Sequence, residues 1–187
     1  VVPNYSAYFE PDSWNFVYDF VRAKYNLTDK FLGTGFSWGA GSLMKYVRSS
    51  LANASRVALA CPVAPTNDGG DWNNVKNANV IYWDFVNKGD DNGPTNLSVS
   101  QGMVNAFNAT NPTYKGLLTS SAINGHGGVE WALAIAPPKT PGGVGFLDAA
   151  ENIYQLYLDI LKSGPRLPKS GATPTTLQAT FNIADKA

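Results

Sequence analysis

A short apolar run, Phe31-Leu32-Gly33-Thr34, leads into the pentapeptide Gly35-Phe36-Ser37-Trp38-Gly39, and a stretch with Leu43, Tyr46 and Val47 on one helical face leaves it. A strand that ends at the first glycine and a helix that starts just past the serine leave room only for a sharp corner. Glycines on both sides of Ser37 supply the backbone freedom and the close approach that such a corner needs. The corner lifts the serine side chain out of the sheet at the carboxyl end of its strand. A strand-turn-helix corner of this kind belongs to a βα unit, so further units of the same kind are expected along the chain.

The alternation continues along the sequence. Pro11-Asp12-Ser13 predicts a helix start with Asp12 or Ser13 as N-cap, and Trp14, Val17, Tyr18, Val21 and Tyr25 follow on one face. Residues 56–61 read as a buried strand that stops at Pro62. Residues 80–85, Val-Ile-Tyr-Trp-Asp-Phe, form the strongest strand candidate, being rich in β-formers. A helix around Met103, Val104 and Phe107 is expected next, then a strand at 114–118. Ile153, Leu156, Tyr157, Ile160 and Leu161 predict a last helix, stopped by Gly164-Pro165. Strands alternating with helices predict a mainly parallel sheet. Val1-Val2-Pro3 reads as the end of a further buried strand, and residues 136–145 as a long Gly/Pro-rich loop able to shape a cleft.

At 187 residues and 44% hydrophobic content the chain is expected to bury one core. That domain is placed at 1–163, with 164–187 a Pro/Ser/Thr-rich linker or tail that would lead to any neighbouring domain. The 14 basic and 14 acidic residues cancel, and without a Lys/Arg cluster nucleic acid is not expected as a partner. No apolar run reaches the length of a membrane span. A lone cysteine, Cys61, excludes an internal disulfide and any cysteine-based zinc cluster. Asn-x-Ser/Thr occurs at Asn4, Asn26, Asn53, Asn96 and Asn108, as chance allows in a chain so rich in asparagine and threonine.

The chemistry is carried by few residues. A serine hydroxyl is a weak nucleophile at neutral pH and needs a base to take its proton. The chain has one histidine, His126, in Asn124-Gly125-His126-Gly127-Gly128 just past a predicted strand, so an imidazole base can only be His126. The plainer reading of Ser37 is a βα turn whose serine caps the helix. A carboxylate is needed to hold the imidazole tautomer and stabilise its charged form. Asp84, Asp90 and Asp91 compete for that role after the strong strand; spacing does not separate Asp90 from Asp91, and the plain reading of each is a solvated turn aspartate.

Serine, then aspartate, then histidine is the chain order of α/β-hydrolases. More narrowly, the sequence resembles the serine esterases related to poly(3-hydroxybutyrate) depolymerases and to feruloyl and acetylxylan esterases. The stretch Asp84-Phe85-Val86-Asn87-Lys88-Gly89-Asp90 running to Pro94 matches that group's acid loop and puts Asp90 in the catalytic slot. Gly125-His126 with Trp131 resembles its Gly-His-x-x-Trp element with the tryptophan displaced, and Glu151-Asn152-Ile153-Tyr154 resembles the opening of its last helix. Val86 stands where the group usually has histidine, and Ala40 where a second glycine is frequent.

The resemblance covers roughly residues 1–162. It implies a three-layer α/β-hydrolase-like sandwich with a mainly parallel sheet, lacking its N-terminal strands, and a triad of Ser37, Asp90 and His126. The backbone N–H of Trp38 would be one oxyanion donor, while the loop that supplies the second has no counterpart ahead of Phe31. The isolated chain is therefore expected to be poorly active and to expose a strand edge. The implied reaction is hydrolysis of a carboxylic ester, small or polysaccharide-linked, or a polyester, with no metal or organic cofactor. Trp38 and Trp131 would pack a sugar ring or an aryl acid, although core packing explains the tryptophans as well. A non-catalytic binding domain and a serine peptidase of the same fold are the alternatives. Val1 is no initiator Met, so a fragment or processed product is expected, with a secreted or periplasmic location.

Overall fold

A computed structural model describes residues 10–126 and 153–168. Ten elements follow in order: α1 (Pro11–Lys24), β1 (Phe31–Phe36), α2 (Trp38–Ser49), α3 (Leu51–Ser55), β2 (Val57–Val63), α4 (Trp72–Asn77), β3 (Ile81–Gly89), α5 (Leu97–Ala109), β4 (Leu117–Asn124) and α6 (Ile153–Ser163). The four strands form one parallel sheet in the order β1-β2-β3-β4. Among the described residues β1 has a strand neighbour on one side only. The expected mixed α/β architecture with a parallel sheet is what the chain adopts.

Both faces of the sheet are covered. On one, Leu43, Tyr46 and Val47 of α2, Trp72 of α4 and Phe107 of α5 close around Tyr82 of β3, joined by Trp14 of α1. On the other, Ile153, Leu156 and Ile160 of α6 lie on Leu59, Cys61, Ile81, Trp83 and Phe85. Burying an aliphatic side chain of this size stabilises by about 1.5–3 kcal/mol, and these three dock α6. The Tyr157 hydroxyl donates to Lys30 O at 2.8 Å and ties α6 to the entrance of β1. Gly164, at φ 89°, donates its N–H to Ile160 O and ends the helix where the sequence predicts. Leu167 still packs on the second core, so the residues just past 163 continue the domain's packing.

Several boundaries differ from the sequence expectation, each for a local reason. The N-cap of α1 is Glu10, not Asp12 or Ser13, because Pro11 has the fixed φ and missing N–H suited to a first helical turn. Strand β2 runs through Pro62 to Val63: it pairs with β3 at Leu59–Ile81 and Ala60–Tyr82 and again at Val63–Phe85. The Ala64 N–H donating to Phe85 O at 2.7 Å holds it beyond the proline. Strand β4 starts at Leu117 rather than 114, since the Asn108 side chain bonds Gly116 on both its N–H and its carbonyl and keeps that residue in the turn. Helices α3 and α4 are capped by Ser50 and Asp71, whose side chains accept from Asn53 N and Asn73 N; each is too short for periodicity to reveal. Residues 1–3, Trp131, 136–145, Glu151 and Asn152 lie outside the described residues.

Candidate active site

The three loops that leave β1, β3 and β4 at their carboxyl ends meet at one place, the edge where open parallel sheets carry their chemistry. Ser37 stands between β1 and α2 at φ 55° and ψ −121°. A non-glycine residue in such a conformation is strained by about 1–3 kcal/mol. Two bonds hold it: Ser37 N–H donates to Val63 O at 2.9 Å, and Gly41 N–H donates to Ser37 O at 3.0 Å. Gly35 is required by close approach, for a Cβ there would lie 2.5 Å from Gly39 O and 2.8 Å from Ala40 N. The helix thus begins directly against the strand that feeds it. Although Ser37 occupies the N-cap position, its side chain makes no capping bond.

The hydroxyl goes to the histidine instead. Ser37 Oγ lies 2.9 Å from His126 Nε2, and His126 Nδ1 lies 2.8 Å from Asp90 Oδ2. The Asp90 side chain is fully buried, while that of His126 keeps 19% exposure. Asp90 Oδ1 accepts from Asn92 N–H at 3.0 Å, so both carboxylate oxygens are occupied. The Phe36 ring stacks on the imidazole, with centroids 4.9 Å apart and planes at 24°. Asn87 Nδ2 donates to Gly125 O at 3.0 Å, and Gly125 N–H donates to Gly89 O at 2.7 Å, fixing the corner that carries His126. Thr95, wholly buried, places Oγ1 3.1 Å from His126 Nδ1.

The three aspartates have separate fates. Asp90 takes the imidazole; Asp91 beside it is exposed. Asp84 is buried inside β3, where its Oδ2 accepts from the Tyr82 hydroxyl at 2.7 Å. Burial raises its carboxyl to about 7, against the opposing pull of Tyr82, Ser100 and the Phe85 amide. Ser100 Oγ lies close enough to favour the carboxylate, yet the pair misses hydrogen-bond geometry. Asp84 Oδ1 and Ser100 Oγ are both left without partners among the described residues. Phe36, Asn87 and Thr95 were not legible in advance: no spacing marks them, and only the folded chain brings Phe36 and Thr95 to the ring and Asn87 to the Gly125 carbonyl beside it.

A cleft of about 640 Å³ opens next to Ser37, lined by Trp38, Lys45, Thr66, Asp68, Pro94 and Val99. Trp38 is half exposed there. The loop carrying Asp68 is anchored by Arg48, which donates to Asn67 Oδ1 and Gly70 O and lies 4.2 Å over the Trp72 ring. The Thr66 hydroxyl donates to Asp68 Oδ2. Among the described residues no group of three His, Cys, Asp or Glu side chains could hold a metal ion, and no helix is long and apolar enough to cross a membrane. In comparisons with known proteins, no family model, curated protein or solved structure matches this chain.

Proposed function

We propose that the chain is a serine esterase of the α/β-hydrolase type, cleaving carboxylic esters through an acyl-enzyme. One observation carries the reading: a strained serine at a βα corner gives its hydroxyl to the chain's single imidazole, whose far nitrogen rests on a buried carboxylate. Ser37 Oγ attacks the ester carbonyl while His126 Nε2 takes its proton. Asp90 keeps the hydrogen on Nδ1 and stabilises the imidazolium that forms. The imidazolium then protonates the leaving alkoxide, and the acyl group remains on Ser37 Oγ. Water, deprotonated by His126 in turn, releases the acid and restores the serine. The developing oxyanion is assigned to the backbone N–H of Trp38, at the positive end of the α2 dipole.

The substrate would lie along the cleft past Trp38, whose exposed ring offers an apolar platform beside the polar Asn67, Asp68 and Lys45. That mixture suits a polysaccharide-linked acyl ester or a hydroxyacid polyester, and the resemblance to such esterases adds to it. Reaction with a fluorophosphonate probe tests the reading. Ser37 is expected to be the labelled residue, and Ser37→Ala and His126→Gln to abolish labelling. An unlabelled wild-type chain would favour a binding domain. Faster turnover of peptides than of p-nitrophenyl esters would favour a peptidase.

A further inference from the structure

We propose that Thr95 is a positioning residue for His126, a second fixed acceptor that holds the Nδ1–H tautomer; the proposal rests on the serine-hydrolase reading of the site. The two ring nitrogens of a neutral imidazole share one N–H hydrogen, and His126 Nε2 can take the Ser37 proton only if that hydrogen sits on Nδ1. Nδ1 faces two oxygens, Asp90 Oδ2 at 2.8 Å and Thr95 Oγ1 at 3.1 Å. The hydroxyl has one proton of its own, and that points to Asn92 O, 3.4 Å away. Its lone pairs are therefore left for Nδ1–H. In the opposite tautomer the Nδ1 lone pair would meet the Asp90 carboxylate, and Thr95 could satisfy it only by withdrawing its proton from Asn92 O.

The two acceptors are built as one unit. The Asn92 N–H donates to Asp90 Oδ1 at 3.0 Å, and Asn92 O accepts from Thr95 N–H at 3.0 Å. One residue's backbone thus sets the spacing between carboxylate and hydroxyl. Asp90 supplies the charge, and Thr95 supplies a second direction, so the ring cannot pivot about the Asp90 contact without losing a bond. With Phe36 stacked on its face, the imidazole is restrained both in plane and in rotation. Thr95 is wholly buried, so water cannot take its place without a cavity opening.

The test compares wild type, Thr95→Val and Thr95→Ser in the whole chain by two readouts. The first is the rate of Ser37 labelling by the fluorophosphonate. The second is the ¹⁵N spectrum of the imidazole at alkaline pH, where the signal of the single histidine needs no assignment. Thr95→Val keeps the shape and removes the hydroxyl. It is expected to slow labelling about tenfold, the lower end for a hydrogen bond to a group that becomes charged, and to mix the two tautomers. Thr95→Ser restores the hydroxyl and is expected to recover the wild-type tautomer and most of the rate. Wild-type behaviour of Thr95→Val in both readouts would overturn the proposal. So would a Thr95→Ser variant as impaired as Thr95→Val, since only packing would then matter. If Thr95→Val does not fold, Thr95→Ala set against Thr95→Ser makes the same comparison. Absence of wild-type labelling would instead overturn the esterase reading, and the tautomer ratio would still decide on Thr95.

Discussion

Replacing Asp84 by asparagine should make the protein more stable in alkaline solution while leaving Ser37 reactive. The carboxyl is fully buried on β3, and desolvation raises it from 3.8 to about 7. In the unfolded chain it returns to its ordinary value. Between those two values the folded state binds more protons than the unfolded state, so stability falls as pH rises. Below about 4 the group is protonated in both states and nothing is lost; above about 7 the loss is complete and constant. A shift of about three units corresponds to a ceiling of about 4 kcal/mol. In Asp84→Asn the amide oxygen keeps the Tyr82 bond, and the NH2 turns toward Ser100 Oγ, which lacks a partner among the described residues. Imperfect geometry there offsets part of the gain, leaving about 1–3 kcal/mol at alkaline pH. For a domain of this size that is about 2–12 °C in melting temperature. Thermal melts of both proteins at about pH 4 and pH 8.5, with labelling of Ser37 alongside, measure it. An equal shift at both pH values, or a less stable variant in alkali, would refute the buried-charge argument. Lost labelling would show that Asp84, not Asp90, serves the imidazole.

Two further outcomes concern the site itself. Asp90→Asn should slow Ser37 labelling by about 10³–10⁴-fold through the wrong imidazole tautomer, whereas Asp91→Asn, at an exposed position, should change it little; labelling rates of the two variants decide between adjacent carboxylates. Gly35→Ala should force the corner open, because its methyl meets the backbone of Gly39 and Ala40 rather than a movable side chain. An expected loss of about 1–3 kcal/mol in chemical denaturation, with slower labelling, checks this.

Much of the fold was legible because its signals are local. The βα corner at Ser37, the α2 face, the β3 run and the end of α6 at Gly164 each depend on residues within one turn or strand. The features that escaped depend on partners distant in sequence. The start of β4 is set by Asn108 holding Gly116, and β2 continues past Pro62 because β3 accepts from Ala64. The same division runs through the site. Ser37 and His126 stand out, one by its flanking glycines and one by being the sole histidine. Thr95 and Asn87 act through contacts with the corner that carries His126, which no spacing encodes.

The three aspartates show how that geometry decides chemistry. Side chains alternate along a strand, so counting by twos from Asp84 would send residues 86, 88 and 90 to the same face, under α5. Asp84 does point there, beside Tyr82 and Ser100. Asp90 lies just past the end of the strand, where its N–H donates to Asn87 O in a turn and Asn92 N–H fixes the carboxylate, so its direction is set by the turn rather than by the strand's alternation. On the neighbouring strand Asn87 pairs with Ser121 and Gly89 with Asn124, so β4 carries one residue more over the same span. A bulge of that kind bends a strand and re-aims the residues beyond it, and Gly125 and His126 lie directly beyond this one. Asp90 and His126 thus reach each other through two breaks in regular pairing at the carboxyl ends of adjacent strands.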